Sequence, residues 1–192
     1  MKKTLTLLFF TLLLIFSGCS SKSNLEEAYA KMETVDSYRV DMKMDNIPLV
    51  GSMSITIKQD GDMLYTSNPF FEQGIYQKMI DGETYDYELQ EDGSYILSST
   101  PSGETEDETD YIDELDYTNF SETDDNTWVS NSERIYLDDE ETDYLEDIII
   151  TLNDDGYFDT IQFTLTAEGV TMDIELVYSG YNTTTVELPT SN

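Results

Sequence analysis

The 192-residue chain contains no histidine and a single cysteine, Cys19. Without histidine, Ser-His-Asp triads, Cys-His dyads, zinc sites built on imidazole and histidine proton relays are all excluded. One thiol allows no intrachain disulfide, so stability has to come from packing. Bases are scarce too: nine Lys and Arg stand against 41 Asp and Glu, a formal net charge of −32. Such a surface repels nucleic acid and anionic head groups, and no nucleic-acid partner is expected. An enzyme of this composition would have only carboxylates to work with, as glycosidases do, and so many carboxylates form close pairs by chance. No catalytic activity and no cofactor are expected.

Acidity raises the question of calcium. Asp138-Asp139-Glu140-Glu141 with Asp143, and Asn153-Asp154-Asp155-Gly156 with Asp159, are the densest runs. Calcium needs six to eight converging oxygens, and neither run has the alternate-ligand spacing closed by a Glu at position twelve. The second run already reads as a hairpin turn. No metal site is expected. Disorder is the other reading of so much charge, but 14 Tyr, 8 Phe and one Trp exceed what a disordered acidic chain carries. A folded, β-rich domain fits better.

The N-terminus has the three parts of an export signal: Lys2 and Lys3, the apolar stretch Leu5 to Phe16, and small residues at a cut. The stretch is too short for a transmembrane span. Phe16-Ser17-Gly18-Cys19 resembles the lipobox of bacterial lipoproteins, with Phe16 in place of the usual Leu. That resemblance implies cleavage between Gly18 and Cys19 and a diacylglyceryl group on Cys19. The expected organisation is a signal peptide over 1–18, a lipidated Cys19 with a short tether over 19–23, and one domain over 24–192. The expected place is the extracytoplasmic face of the cell membrane, held through the lipid anchor, as a monomer. Removing residues 1–18 takes Lys2 and Lys3 but no acid, which leaves a mature charge near −34.

Within the domain, Ser23 or Asn24 followed three residues later by Glu26 or Glu27 is a capping-box pattern. Leu25, Ala28, Tyr29, Met32 and Val35 then recur at helical spacing, which predicts an amphipathic helix of about three turns. Its polar face is acidic where membrane-surface helices are basic, so packing on the protein's own sheet is expected. From Tyr38 the period changes to two, and Asp-Gly pairs at 60–61, 81–82, 92–93 and 155–156 mark hairpin turns. Strands are expected at 38–45, 51–59, 62–67, 74–80, 83–90, 94–99, 127–131, 134–138, 145–152, 157–166, 170–178 and 183–188. The region 101–126 reads as an acidic insertion. In it Tyr111, Ile112, Leu115 and Tyr117 form a short helical stripe, either a lid helix or a solvated loop.

Ala28-Tyr29-Ala30-Lys31-Met32, Val35-Asp36-Ser37-Tyr38 and the closing Met172-Asp173-Ile174-Glu175, Tyr178-Ser179-Gly180-Tyr181-Asn182 and Val186-Glu187-Leu188-Pro189 resemble the two ends of the LolA/LppX-like lipoprotein-carrier superfamily, in its Gram-positive lipoprotein members. The resemblance implies an α+β, mostly β fold: a strongly curved antiparallel half-barrel meander over an N-terminal helix. It also implies a lipid or other amphiphile held between sheet and helix. Methionine adapts to irregular apolar pockets, and the residues expected to line such a site are Tyr29, Met32, Met42, Met44, Met53 and Met172. The alternative is an envelope interaction or assembly role with no small ligand. A continuous cavity over the concave face separates the two.

Overall fold

The computed structural model describes residues 24–67, 69–70, 74–102, 115–124, 126–137 and 141–189. Helix α1 (Asn24–Met32) opens the described chain. The first run of strands is β1 (Ser37–Ile47), β2 (Gly51–Asp60), β3 (Met63–Thr66), β4 (Ile75–Ile80), β5 (Glu83–Leu89) and β6 (Tyr95–Leu97). A 3-10 turn (Tyr117–Asn119) leads to β7 (Phe120–Asp124), β8 (Thr127–Ser130), β9 (Arg134–Tyr136), β10 (Tyr144–Leu152), β11 (Phe158–Ala167) and β12 (Val170–Ser179). Together the 12 strands make one open, curved, antiparallel sheet, and the fold is mostly β with an N-terminal helix, as expected.

The order across the sheet is β6-β5-β4-β3-β2-β1-β12-β11-β10-β8-β7, with β9 also on β10. Two local meanders are therefore joined at their far ends: β1 pairs with β12 from Arg39↔Ser179 to Asp45↔Asp173. The four Asp-Gly turns each connect neighbouring antiparallel strands. At Asp81-Gly82 both residues have positive φ, 53° and 84°, the two-residue geometry that matches strand twist. Glu168-Gly169 makes the same turn between β11 and β12, with φ of 51° and 77°.

Three expectations need correction. Helix α1 ends at Met32, so Val35 lies beyond it, although its N–H still reaches the Met32 carbonyl at 3.2 Å. Residues 120–124 form a strand that the acidic composition hides. Conversely, 183–188 alternates like a strand but pairs with none. The strands at this end, β1 and β12, already have neighbours on both sides. The segment instead straps across the end of β2, where the Val186 N–H donates to Asp60 Oδ2 at 3.1 Å. Of the stripe expected in the insertion, Tyr111 and Ile112 lie outside the described residues. Leu115 is buried in the core, and Tyr117 begins the 3-10 turn.

The core lies on one face only, called here the inner face. Leu25 and Ala28 of α1 meet Val40, Ile150, Ile161, Leu176 and Trp128 there. Full burial of a Leu side chain contributes about 1.5–3 kcal/mol, which explains how nine helical residues hold their place. No residue of β2 to β6 falls among the buried ones. These five strands project past the helix as a wing.

Candidate functional site

Alternation along each strand and the pairing registers assign every strand residue to a face. On the inner face Met42 stands opposite Ile55 and Leu176, Met44 opposite Met53 and Ile174, and Met172 opposite Leu165. Tyr29 and Met32 reach the same face from α1 and pack partly buried against the core. The Tyr29 ring meets Phe158 edge-on, centroids 5.2 Å apart at 88°. The six residues expected to line a ligand site thus share one face. Five of them (Tyr29, Met32, Met42, Met44 and Met172) pack directly on the core, and Met53 sits at the start of the wing. Gly18 and Cys19 lie outside the described residues.

The space between α1 and the sheet is taken up by the protein itself. Leu25, Ala28, Ile150 and Ile161 are each no more than 1% exposed. Two open depressions, of 210 and 330 Å³, lie on the opposite, outer face instead. Both border Asp147, which sits at the break in register between Glu146 and Ile149 with a φ of 55°. This bulge lets β10 pair with β9 along one stretch and β8 along the next.

Polar chemistry on the outer face is mutually engaged. Arg39 donates twice to Asp41 at 2.8 Å, and Thr56 donates to the same carboxylate at 2.6 Å. The hydrogen bonds from Arg39 hold the Asp41 carboxyl below its usual range. Lys43 binds Asp45 at 2.6 Å and likewise lowers it. Gln162 donates to Glu175 at 2.7 Å, and Thr164 donates to Asp173 at 3.0 Å. Asp41 and Asp45, held ionised by their basic neighbours, act as fixed acceptors. Among the described residues no group of three or more acidic side chains is placed to hold a metal ion. Asn153 Oδ1 accepts from the Asp155 and Tyr157 N–H groups at 3.0 and 3.1 Å, the hairpin turn expected of that run.

In the wing the outer face gains aromatic residues. The outer face carries a cross-strand row running Lys58, Tyr65, Tyr76, Tyr87 and Leu97. Tyr65 and Tyr76 centroids lie 4.9 Å apart, Tyr95 leans onto Tyr76 at 5.5 Å, and Lys58 lies 5.4 Å over the Tyr65 ring. This satellite cluster stiffens the wing. The inner face of the wing keeps a second, mixed strip: exposed Ile75, Met79 and Ile96 set among Thr66, Gln77, Thr84, Asp86 and Glu88, with Met53, Ile55 and Leu64 half-buried. Ile75, Met79 and Ile96 are 38%, 41% and 56% exposed. Of eleven exposed large apolar side chains among the described residues, eight fall between Leu49 and Ile96. Ile75, Met79 and Ile96 share the inner face, Ile80 and Leu89 the outer one, and Leu49, Val50 and Phe70 lie in turns, so the inner three form, among the described residues, the one exposed apolar group on the face that α1 covers elsewhere.

Sequence reasoning singled out the inner-face methionines but missed the uncovered strip. The alternation of Met53, Ile55 and Ile57 was the available signal, yet it says nothing about whether a helix lies above. Comparison with protein-family models and with curated proteins finds no match for this chain.

Proposed function

We propose that the chain is a lipoprotein tethered by Cys19 to the outer side of the cell membrane, and that it binds another polypeptide through the wing of its sheet. The observation carrying this reading is the offset between cover and apolar surface: α1 packs on the β10–β12 end, while Ile75, Met79 and Ile96 on the same face of the wing stay exposed. The filled helix–sheet interface favours this role over a small apolar ligand held between helix and sheet. Two acyl chains anchor stably, at about 0.8 kcal/mol per buried methylene. Only four residues separate Cys19 from α1, and a chain reach of about 3.5 Å per residue keeps the domain near the bilayer.

Photo-crosslinking in living cells tests the proposal. A crosslinker at Ile96 should form polypeptide adducts, and one at Val177, 36% exposed on the outer face, should not. Cys19→Ser should leave an unlipidated precursor or release the protein and diminish the Ile96 adducts. Unchanged lipid labelling in Cys19→Ser removes the anchor. Adducts absent at Ile96, together with stoichiometric lipid co-purifying with the native protein, hand the role back to ligand carriage.

A further inference from the structure

The inner strip of the wing carries a charge bias as well as apolar surface, and together they define the partner. The two bases of β2 to β6, Lys58 and Lys78, both stand on the outer face, opposite Tyr65 and Tyr85. The inner face of the same strands carries Asp86 and Glu88, the latter directly opposite Ile96. Asp86 accepts from Gln77 at 2.9 Å, so it is fixed in the sheet surface. At the strand ends Asp62 and Asp81 border the same surface on one side, and Glu91 and Asp92 on the other, all exposed. Any segment laid over Ile75, Met79 and Ile96 therefore meets carboxylates and no ammonium or guanidinium from the wing strands.

We infer that this strip is a docking site for a basic, amphipathic polypeptide segment whose apolar side covers Met79 and Ile96 and whose Lys or Arg residues pair with Asp86 and Glu88. The inference rests on the interaction role proposed above and adds the face and the charge of the partner. A second copy of this chain does not fit, because each brings a net charge of −32 and like charges across an interface oppose association. An acidic or neutral segment fits poorly as well: it would desolvate Asp86 and Glu88 without compensation.

The methionines supply the test. In full-length protein in zwitterionic nanodiscs with 13C-labelled methionine methyls, Met79 reports the strip, Met63 the outer face, and Met42 and Met53 the half-buried surface beside the core. A synthetic peptide alternating Lys with Val should shift Met79 and leave Met63, Met42 and Met53 unmoved. Its counterpart with Gln in place of Lys should bind far more weakly. Asp86→Asn and Glu88→Gln should each weaken binding roughly two- to fivefold. Ile96→Glu, at a site more than half exposed, should abolish the shifts with unchanged far-ultraviolet circular dichroism. Shifts at Met63, equal response to the Gln peptide, or no shift at Met79 overturns the inference. A protein that crosslinks a partner at Ile96 yet ignores the Lys peptide keeps the interaction role and loses the basic partner.

Discussion

The Tyr181 hydroxyl donates to the Phe158 carbonyl oxygen at 2.7 Å, tying the tail after β12 to the first residue of β11. Tyr157 stacks on the same ring, centroids 4.6 Å apart at 21°. Burial, followed by the neighbouring Tyr178 and Asp159, pushes the Tyr181 phenol well above its usual 10.0. A group whose folded pKa exceeds its unfolded value contributes stability at lower pH and loses it as pH rises past the unfolded value. The domain should therefore lose stability above about pH 10, and Tyr181→Phe should lessen that slope. At neutral pH the same substitution should cost about 1–2 kcal/mol, since it strips a buried carbonyl of its donor. Urea melts at two pH values check both effects.

Leu25 and Ala28 anchor α1, with 1% and 0% exposure. Leu25→Ala should cost about 2–5 kcal/mol, the range for a large-to-small core change. Met32 is only partly buried, so Met32→Lys should cost less than Leu25→Lys, because its long stem lets the ammonium reach water. Glu33→Lys, exposed beyond the helix, should stay within about 0.5 kcal/mol of wild type. Thermal melts of the four variants establish the order.

Native-state hydrogen exchange should divide the sheet in two. Amides of β10 to β12 and β1, backed by the buried cluster, should exchange only through global unfolding. Amides of β4 to β6, which contribute no buried residue, should exchange through a smaller, local opening. Uniform protection across all strands would show that the tyrosine row holds the wing as firmly as the core is held.

Salt should stabilise the protein. With acids outnumbering bases 41 to nine, self-repulsion opposes compaction, and raising salt from 0.01 to 0.1 M shortens screening from about 30 to about 10 Å. The melting temperature should rise with sodium chloride, and calcium at equal ionic strength should add nothing further. A large excess effect of micromolar calcium would reveal a specific site.

Much of the fold was legible because its signals are local. Alternation in Ile161, Phe163 and Leu165 located β11, and Asp81-Gly82 located the turn between β4 and β5. What escaped depends on neighbours distant in sequence. The stretch 183–188 alternates as well as any strand, but it meets no free edge. Phe120 to Asp124 has one large apolar residue, and β8 recruits it through Phe120↔Ser130 and Ser121↔Val129. The methionines of the expected site do share a face, as their alternation implies. Alternation could not tell that Met42 and Met44 lie against the core while Met79 stays open, because cover is set by where α1 comes to rest. Nor could it show that Tyr65, Tyr76 and Tyr87 turn to the opposite side from Val40 and Met42: the register of four successive pairings decides that.

The pairing of β1 with β12 has a consequence for the order in which the chain matures. Hairpins of the wing close over a few residues and form as soon as they are synthesised, whereas Arg39 waits for Ser179, a closure of high contact order. Until the last strand emerges, α1 has no finished surface to cover, and Leu25, Val40 and Ile161 remain in water. A nascent or C-terminally truncated chain should therefore carry wing hairpins without a finished core, and reach its native shape only once β12 is there to pair with β1.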